Sequence, residues 1–150
     1  MSSDPHDLER FAEAQAGCYS RVLAELAAGE KTSHWMWFIF PQLEGLGAST
    51  TARRFGISGL EEARAYLAHP LLGVRLRECT RLVLAVEGRT AHEIFGSPDD
   101  LKLRSCLTLF SQAVASPPAR EDELFGAALA KYYRGEPDAL TLRLLSSSAS

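Results

Sequence analysis

The chain lacks an excess of positive charge and any long hydrophobic run. Sixteen Lys and Arg residues against nineteen Asp and Glu residues give its 150 residues a net charge of −3. That balance excludes the basic surface that a nucleic-acid coat or a polybasic membrane anchor requires. The longest fully apolar run is six residues, 35–40, whereas a membrane span needs roughly 20. We therefore expect neither a membrane segment nor a secretory signal, since the first residues are polar.

Paired cysteines and metal-binding motifs are also missing. The number of cysteines is odd, and the three residues lie far apart in the sequence: Cys18, Cys79 and Cys106. No CxxC motif occurs. The four histidines form no HExxH motif and no pair spaced four residues apart. The sequence therefore predicts reduced thiols, a cytoplasmic location, and no metal or other cofactor.

Hydrophobic periodicity predicts helices along the whole chain and no alternating strand. The length fits one domain. We therefore expect an all-α fold, in which a compact single domain of about seven helices packs around a central aromatic segment. The small polar residues 146–150 are expected to fray.

Several helix boundaries are marked by capping residues. A first helix is predicted within residues 4–29, with Gln15 on its apolar stripe either making a core hydrogen bond or facing a pocket. Thr90 and Glu93 have the spacing of a capping box. Ser97 is predicted to cap a helix that begins at the following proline.

The central aromatic segment is KTSHWMWFIFPQLEGLGAST, residues 31–50. Its apolar run fits a buried strand or a short buried helix, and the absence of a partner strand favours a helix over 34–39. Ser33 is the expected cap, and Pro41 is expected to end the helix before it. Met36, Ile39 and Phe40 are predicted to be core residues.

The same segment mixes hydrogen-bond donors with large aromatic faces. Lys31, Ser33, His34, Trp37 and Gln42 are the residue types that a nucleobase or sugar pocket uses. They are equally the residues of an aromatic core plug. His34 is the candidate general acid or base, because it alone among the histidines has such neighbours.

A glycine-rich stretch follows, with Gly45, Gly47 and Ser49. It lacks the complete GxxxxGK[ST] pattern and does not follow a strand. It is therefore either a tight turn or a backbone cradle for an anion. The stretch has no Lys or Arg of its own, and we expect Lys102 to approach it and complete one anion-accepting pocket.

Lys102, Ser105 and Thr108 recur every three residues and share one face of a predicted helix. Lys102 lies one turn inside the helix start, where the helix dipole attracts anions. Asp99 is either a catalytic carboxylate or simply a favourable acid at a helix N terminus. The polar face is either an anion site or a solvated strip.

Five stretches resemble a bacterial family of unassigned activity, the domain of unknown function (DUF) 1810 family. They are DLERFAEAQ, SHWMWFIFPQLEGLGAS, EEARAYLAHPLLGVRLRE, FGSPDDLKLRSCLTLF and YYRGEPDALTLRLL. The resemblance implies a compact all-helical domain and supplies no reaction. Ser105 and Thr108 match the family's Ser-Ser-Met-Thr-Leu-Phe, whereas Cys106 and Leu107 depart from it. Phe55 stands where the family tends to have Tyr.

Two functions remain open from the sequence. The first is binding or hydrolysis of a small anionic metabolite, a nucleotide or an ADP-ribose-like compound. The alternative is a non-enzymatic interaction or adaptor domain with Trp35 and Tyr133 on its surface. For the first function, the expected catalytic residues are His34, Asp99 and Lys102. The expected ligand-binding residues are Lys31, Ser33, Trp37, Gln42, Gly45, Gly47, Ser49, Ser105 and Thr108.

Overall fold

Ten α-helices and one 3-10 turn make up the fold in the computed structural model, which describes residues 4–148. The described residues contain no strand, only an isolated parallel bridge between Leu43 and Ile57. The predicted all-α class is therefore confirmed. The helices are α1 (Glu9–Gln15), α2 (Tyr19–Ala28), α3 (Met36–Ile39), α4 (Thr50–Arg54), α5 (Leu60–Ala68), α6 (Leu72–Ala85), α7 (Ala91–Phe95), α8 (Asp99–Ala113), α9 (Glu123–Tyr133) and α10 (Ala139–Ser148), with the 3-10 turn at Arg120–Asp122 before α9.

Helix α8 lies at the centre of the fold and packs against α5, α7, α9 and α10. Its apolar positions repeat at helical spacing and are buried, among them Leu103, Leu107 and Phe110. Phe110 contacts Tyr66 of α5 on one side and Phe125 of α9 on the other, at ring-centroid distances of 5.6 and 5.8 Å. This aromatic row joins α5, α8 and α9. Helix α8 is therefore a rigid support for the side chains at its N terminus.

The central aromatic segment forms a second part of the core. The predicted helix is present but begins two residues later than expected, as α3 over residues 36–39, and the chain leaves it at Phe40, before the proline. Met36, Ile39 and Phe40 are all buried, which confirms their expected core role. Trp35, Phe40 and Phe95 contact one another with centroid distances of 5.9 to 6.4 Å. The segment is thus anchored to α7.

The predicted first helix is wrong in one respect, because it is two helices. Helix α1 ends at Gln15 and α2 begins at Tyr19, with Gly17 between them. Glycine is a poor helix former, and a break there lets α2 take its own direction. Gln15 makes core hydrogen bonds: its Nε2 atom donates to the Phe38 carbonyl at 2.8 Å and to the Tyr66 hydroxyl at 3.4 Å. This split, together with the short α4, raises the helix number above the expected seven.

Two predicted caps are wrong and one is confirmed. Thr90 and Glu93 form a complete capping box on α7. Ser97 does not cap α8, because Pro98 is the N-cap residue and no side chain accepts a cap hydrogen bond there. Instead the carbonyls of Gly96 and Pro98 accept the first backbone N–H groups of the helix. Ser33 likewise lies too early to cap α3, whose N-cap is a tryptophan.

The C-terminal helix covers one side of α8. The backbone N–H of Asp138 donates to the Thr108 hydroxyl at 2.8 Å, and the Asp138 carboxylate accepts from Thr141 at the start of α10. The helix runs to Ser148, so residues 146–148 of the predicted frayed tail are helical, while residues 149–150 lie outside the described residues. Over residues 4–148, no helix is long and apolar enough to cross a membrane.

Candidate functional site

A cleft of about 340 Å³ opens where the segment before α3, the start of α4 and the start of α8 come together. It is only partly enclosed, and both charged and aromatic side chains reach it. The lining residues are Lys31, His34, Trp35, Met36, Trp37, Phe38, Ser49, Thr51, Asp99 and Lys102. Residues far apart in the sequence, including all three expected catalytic residues, therefore meet in one place.

An ion-pair cluster forms the polar wall of the cleft. The Asp99 carboxylate lies between two ammonium groups: Lys31 Nζ is 2.7 Å from Oδ2, and Lys102 Nζ is 3.1 Å from Oδ1. Lys31 also donates to the Ser33 carbonyl at 2.6 Å. The side chains of Lys31, Asp99 and Lys102 are 7%, 19% and 23% exposed. The cluster carries a net charge of +1 in a largely desolvated place, where charges interact more strongly than in water.

Each lysine also rests on a tryptophan ring. Lys31 Nζ lies 5.0 Å from the Trp35 centroid, and Lys102 Nζ lies 4.5 Å from the Trp37 centroid. A cation at this distance is attracted to the negative face of the ring. The two tryptophans therefore hold the ammonium groups in place even if the carboxylate between them takes another partner.

Asp99 remains ionised at neutral pH. Burial raises the pKa of its carboxyl, but the hydrogen bonds and charges of Lys31 and Lys102 outweigh that effect and lower the pKa below its ordinary value. A carboxyl with a lowered pKa is a poor general acid and a weak base. Asp99 is thus better suited to stabilising charge or accepting hydrogen bonds than to moving a proton.

A second carboxylate, Glu25 of α2, fixes the segment that carries Lys31 and His34. Its Oε1 atom accepts from the backbone N–H groups of Thr32 and Ser33 and from Trp35 Nε1, at 2.8 to 3.0 Å. Its Oε2 atom accepts from the Ser33 hydroxyl at 2.6 Å. Burial raises the pKa of Glu25, but these four donors outweigh it and bring the pKa down to about 2.

Glu25 was not among the residues predicted for the site. The signal that could have found it is its position, three residues after Val22 and one before Leu26, both buried on the inner face of α2. A carboxylate on such a face requires several donors, because an unpaired buried charge is very costly. The sequence does not show which segment supplies them.

The predicted glycine cradle is a turn that supports the cleft. Gly45 has φ +99°, in the left-handed region that glycine adopts readily. A Cβ atom on Gly47 would come within 2.9 Å of Trp37 and 2.8 Å of Ala52. Gly47 therefore lets the Trp37 ring approach α4 closely. Neither glycine is among the residues that line the cleft, so the turn acts by placing Trp37.

Ser49 does line the cleft, and it is also a helix cap. Its hydroxyl accepts from the Ala52 backbone N–H at 3.0 Å at the start of α4. A hydroxyl that accepts one bond can still donate another. The predicted meeting of Ser49 and Lys102 in one cleft is what the structure has.

Four other predicted residues lie away from the cleft, and three of them make hydrogen bonds that hold the fold together. The Ser33 hydroxyl is taken by Glu25. Ser105 and Thr108 donate to the carbonyls of Leu101 and Arg104 within α8 and are buried there. Gln42 is buried, and within the described part of the chain its Nε2 atom has no hydrogen-bond partner. None of the four is among the residues that line the cleft.

The surface expected for an adaptor domain does not form as predicted. Trp35 is only 2% exposed, because its ring is packed in the aromatic core and its Nε1 is bonded to Glu25. The Tyr133 hydroxyl donates to the Asp100 carbonyl at 2.5 Å, so this side chain is tied to the start of α8. His34, by contrast, is exposed on the cleft.

Fold and site together define an all-helical domain in which Lys31 joins Asp99 and Lys102 of the central helix to form a lysine–aspartate–lysine cluster in an aromatic cleft. The chain belongs to the family described as "Protein of unknown function (DUF1810)", whose model matches residues 5–145. It is similar to the conserved hypothetical protein Rv1873 from Mycobacterium tuberculosis, whose crystal structure superposes with a TM-score of 0.90. The two chains are 57% identical over 95% of this chain and 99% of that one. No curated protein matches the chain.

Proposed function

We propose that the cleft binds a small organic anion that carries a planar ring, of the nucleotide or ADP-ribose-like class. The observation that carries the proposal is the meeting of two lysine ammonium groups in one cleft. The chain has only three lysines against thirteen arginines, yet two of the three share Asp99. Lysine offers three rotatable donors from a point charge, which suits a phosphate that must enter and leave.

Hydrogen-bond counting supports a ligand with several acceptors. Among the described residues, Lys31 Nζ donates to the Ser33 carbonyl and Asp99, and Lys102 Nζ donates to Asp99 alone. Each ammonium has three N–H groups, so one on Lys31 and two on Lys102 remain available to a ligand or to water. The Ser49 hydroxyl adds a further donor in the same cleft.

Trp37 supports a planar ring on the ligand. Its side chain is half-buried, lies in the cleft wall and is held between Gly47 and the Lys102 ammonium. Aromatic rings attract one another in offset-stacked or edge-to-face arrangements, worth about 0.5–1.5 kcal/mol beyond the area that they bury. A nucleobase beside Trp37 would leave its phosphate near the lysines.

Calorimetric titration of AMP, ADP-ribose, adenosine and inorganic phosphate tests this function. The wild type is expected to bind AMP or ADP-ribose more tightly than adenosine or phosphate alone. Lys102→Met is expected to weaken AMP binding about tenfold or more, since a charge-assisted hydrogen bond is worth roughly 1.5–3 kcal/mol. Lys131→Met is the matched control, because Lys131 is exposed and bonded to the Leu84 and Val86 carbonyls.

Two results would count against the proposal. One is no heat of binding for any phosphate compound at millimolar concentration. The other is an equal loss of affinity in Lys102→Met and Lys131→Met, since that would indicate a general charge effect. Thermal melting of each variant separates lost binding from lost folding.

Hydrolysis of the bound ligand is the second candidate, and the position of His34 on the same cleft favours it. In this reading a water molecule attacks the anomeric carbon of the sugar as the glycosidic bond breaks, His34 donates a proton to the leaving group, and the proton lost by the water returns to His34. Asp99 stabilises the positive charge that develops on the sugar, and Lys102 holds the anion. The lowered pKa of Asp99 supports its assignment as stabiliser rather than base. The test is to incubate the protein with ADP-ribose and to separate the products by chromatography. The wild type is expected to release a hydrolysis product that His34→Gln does not release.

We also propose a cytoplasmic location. Three free thiols support it, with Cys79 and Cys106 buried and Cys18 partly exposed. Burial raises the pKa of Cys79 to about 12, so this thiol is unreactive at neutral pH. Free buried thiols are typical of reducing compartments.

A further inference from the structure

The Asp99 carboxylate is surrounded by fewer donors than it can use. A carboxylate offers about four lone-pair sites, and within residues 4–148 only Lys31 and Lys102 donate to Asp99. Its side chain lines the cleft and is 19% exposed. About two acceptor sites of an ionised, mostly desolvated oxygen pair therefore remain for something other than protein.

Glu25 shows that this arrangement is not forced by burial. The Glu25 carboxylate, in the same part of the fold, receives four hydrogen bonds from Thr32, Ser33 and Trp35. The fold therefore satisfies one carboxylate from within the protein and leaves its neighbour in the cleft with open acceptor sites.

Donors and acceptors therefore lie side by side in the cleft. The two ammonium groups offer unused N–H groups to an anion, and the carboxylate between them offers unused lone pairs to donors. Ion pairs and O–H···O⁻ hydrogen bonds are both strong where water is partly excluded. A ligand that satisfies the whole cluster must carry acceptors and hydroxyl donors a few ångströms apart.

We propose that the ligand is a ribosyl phosphate and that Asp99 recognises its sugar hydroxyls while Lys31 and Lys102 hold its phosphate. This inference rests on the proposed anion-binding function and narrows its ligand class. The negative charge of Asp99 repels a bare anion, and hydroxyl groups next to the phosphate offset that repulsion. The cleft therefore selects against inorganic phosphate and against phosphates that lack vicinal hydroxyls.

A pair of nucleotides that differ only in the sugar tests the inference. AMP and 2′,3′-dideoxyadenosine monophosphate share base, phosphate and charge, so their affinity ratio isolates the hydroxyls. We expect AMP to bind the wild type about tenfold more tightly or better, because hydrogen bonds to a charged group are strong. In Asp99→Asn the ratio is expected to fall to about threefold or less, with the dideoxy compound bound as well as before or better.

Asp100→Asn is the matched control, since it removes the same charge one residue away. Asp100 accepts from the Leu101 backbone N–H and pairs with His92, and it is not among the cleft residues. Its variant is expected to keep the wild-type ratio between AMP and the dideoxy compound.

The outcomes separate this inference from the proposed function. If neither nucleotide binds the wild type, the proposed function fails and this inference with it. If both bind with equal affinity, the anion site stands and the recognition of hydroxyls is overturned. If Asp99→Asn keeps the wild-type ratio, Asp99 does not recognise the hydroxyls. The wild-type comparison needs no variant, so the inference stays testable even if Asp99→Asn does not fold.

Discussion

The segment held by Glu25 and the cluster around Asp99 lie next to each other, and each contains a mostly buried carboxylate. The two carboxylates differ in how their negative charge is stabilised. Glu25 is enclosed by four donors from one short stretch, residues 32–35. Asp99 is held by two lysines, and one of them, Lys31, comes just before that stretch. The first carboxylate builds the wall of the cleft, and the second is part of its open surface. Of these two carboxylates, the fully hydrogen-bonded Glu25 is structural, and Asp99, which keeps open acceptor sites, lines the candidate site.

The largest effect is expected in the aromatic core behind both carboxylates. Phe40→Ala removes a fully buried ring that contacts Trp35 and Phe95. Such a truncation costs about 3–5 kcal/mol, a large part of a small domain's stability. Urea denaturation measures it, and a loss under about 1 kcal/mol would show that this ring is not a core residue.

Glu25→Gln is expected to be the next most damaging change. The change removes the negative charge and replaces one of the two acceptor oxygens by an NH₂ group, so the four donors no longer all have a partner. The free energy of unfolding is expected to fall by about 2–3 kcal/mol. Asp99→Asn is the comparison, and it is expected to cost less than Glu25→Gln, because Asp99 receives two donors rather than four and the Asp99 and Lys102 side chains are 19% and 23% exposed. Denaturation curves giving similar losses for the two variants would break the contrast drawn between the carboxylates.

The stability of the wild type is expected to fall in acid partly because of Glu25. Its pKa is about 2 in the folded protein against an ordinary value of 4.5. A lowered pKa contributes stability that is fully present above pH 4.5 and is lost as pH falls towards 2. Unfolding free energies measured from pH 6 to pH 2 should therefore decline more steeply for the wild type than for Glu25→Gln. Parallel curves would contradict the assignment of Glu25 as an ionised anchor.

Gly47→Ala sharpens the comparison through Trp37, which lines the same cleft. The new Cβ atom would overlap Trp37 and Ala52, so the ring must shift, at a cost of about 1–3 kcal/mol. Because Lys102 rests on that ring, AMP binding should weaken as well. A changed tryptophan emission spectrum is the direct readout. Unchanged emission and unchanged binding would show that the new methyl group fits without moving the Trp37 ring.

The smallest effects are expected at two helix starts: Thr90 caps α7 in the structure, whereas Ser97 was predicted to cap α8 and does not. Thr90→Ala removes the side chain that accepts from the Glu93 backbone N–H and should cost about 1 kcal/mol. Ser97→Ala should leave stability unchanged, because Ser97 is exposed and precedes the N-cap of α8. Equal losses in thermal melts of the two variants would mean that Ser97 does stabilise the start of α8.

Local signals in the sequence explain what could be predicted of the fold. Buried repeats such as Leu103, Leu107 and Phe110 follow helical spacing, and Thr90 with Glu93 caps α7 through local bonds. The prediction for Ser97 was wrong because Ser97 lies before Pro98, and the carbonyls of Gly96 and Pro98 accept the first N–H groups instead. Local patterns are sufficient where both partners lie within one turn.

The candidate site depends on contacts that no local pattern contains. The sequence indicated Lys31, His34, Asp99 and Lys102 as residue types suited to a site, and the structure brings them together in the cleft. The ion pair between Lys31 and Asp99 joins residues that are 68 positions apart in the sequence. The partners of Glu25 are set by how α2 meets the following loop. Ser105 and Thr108 had the right spacing, but their hydroxyls bond within α8.

A crystal structure of the protein soaked with AMP tests the central claim most directly. The account predicts phosphate oxygens about 2.7–2.9 Å from the ammonium nitrogens of Lys31 and Lys102, with the adenine ring against Trp37. An AMP molecule bound away from this cleft, or a cleft without nucleotide at a concentration where calorimetry detects binding, would contradict it.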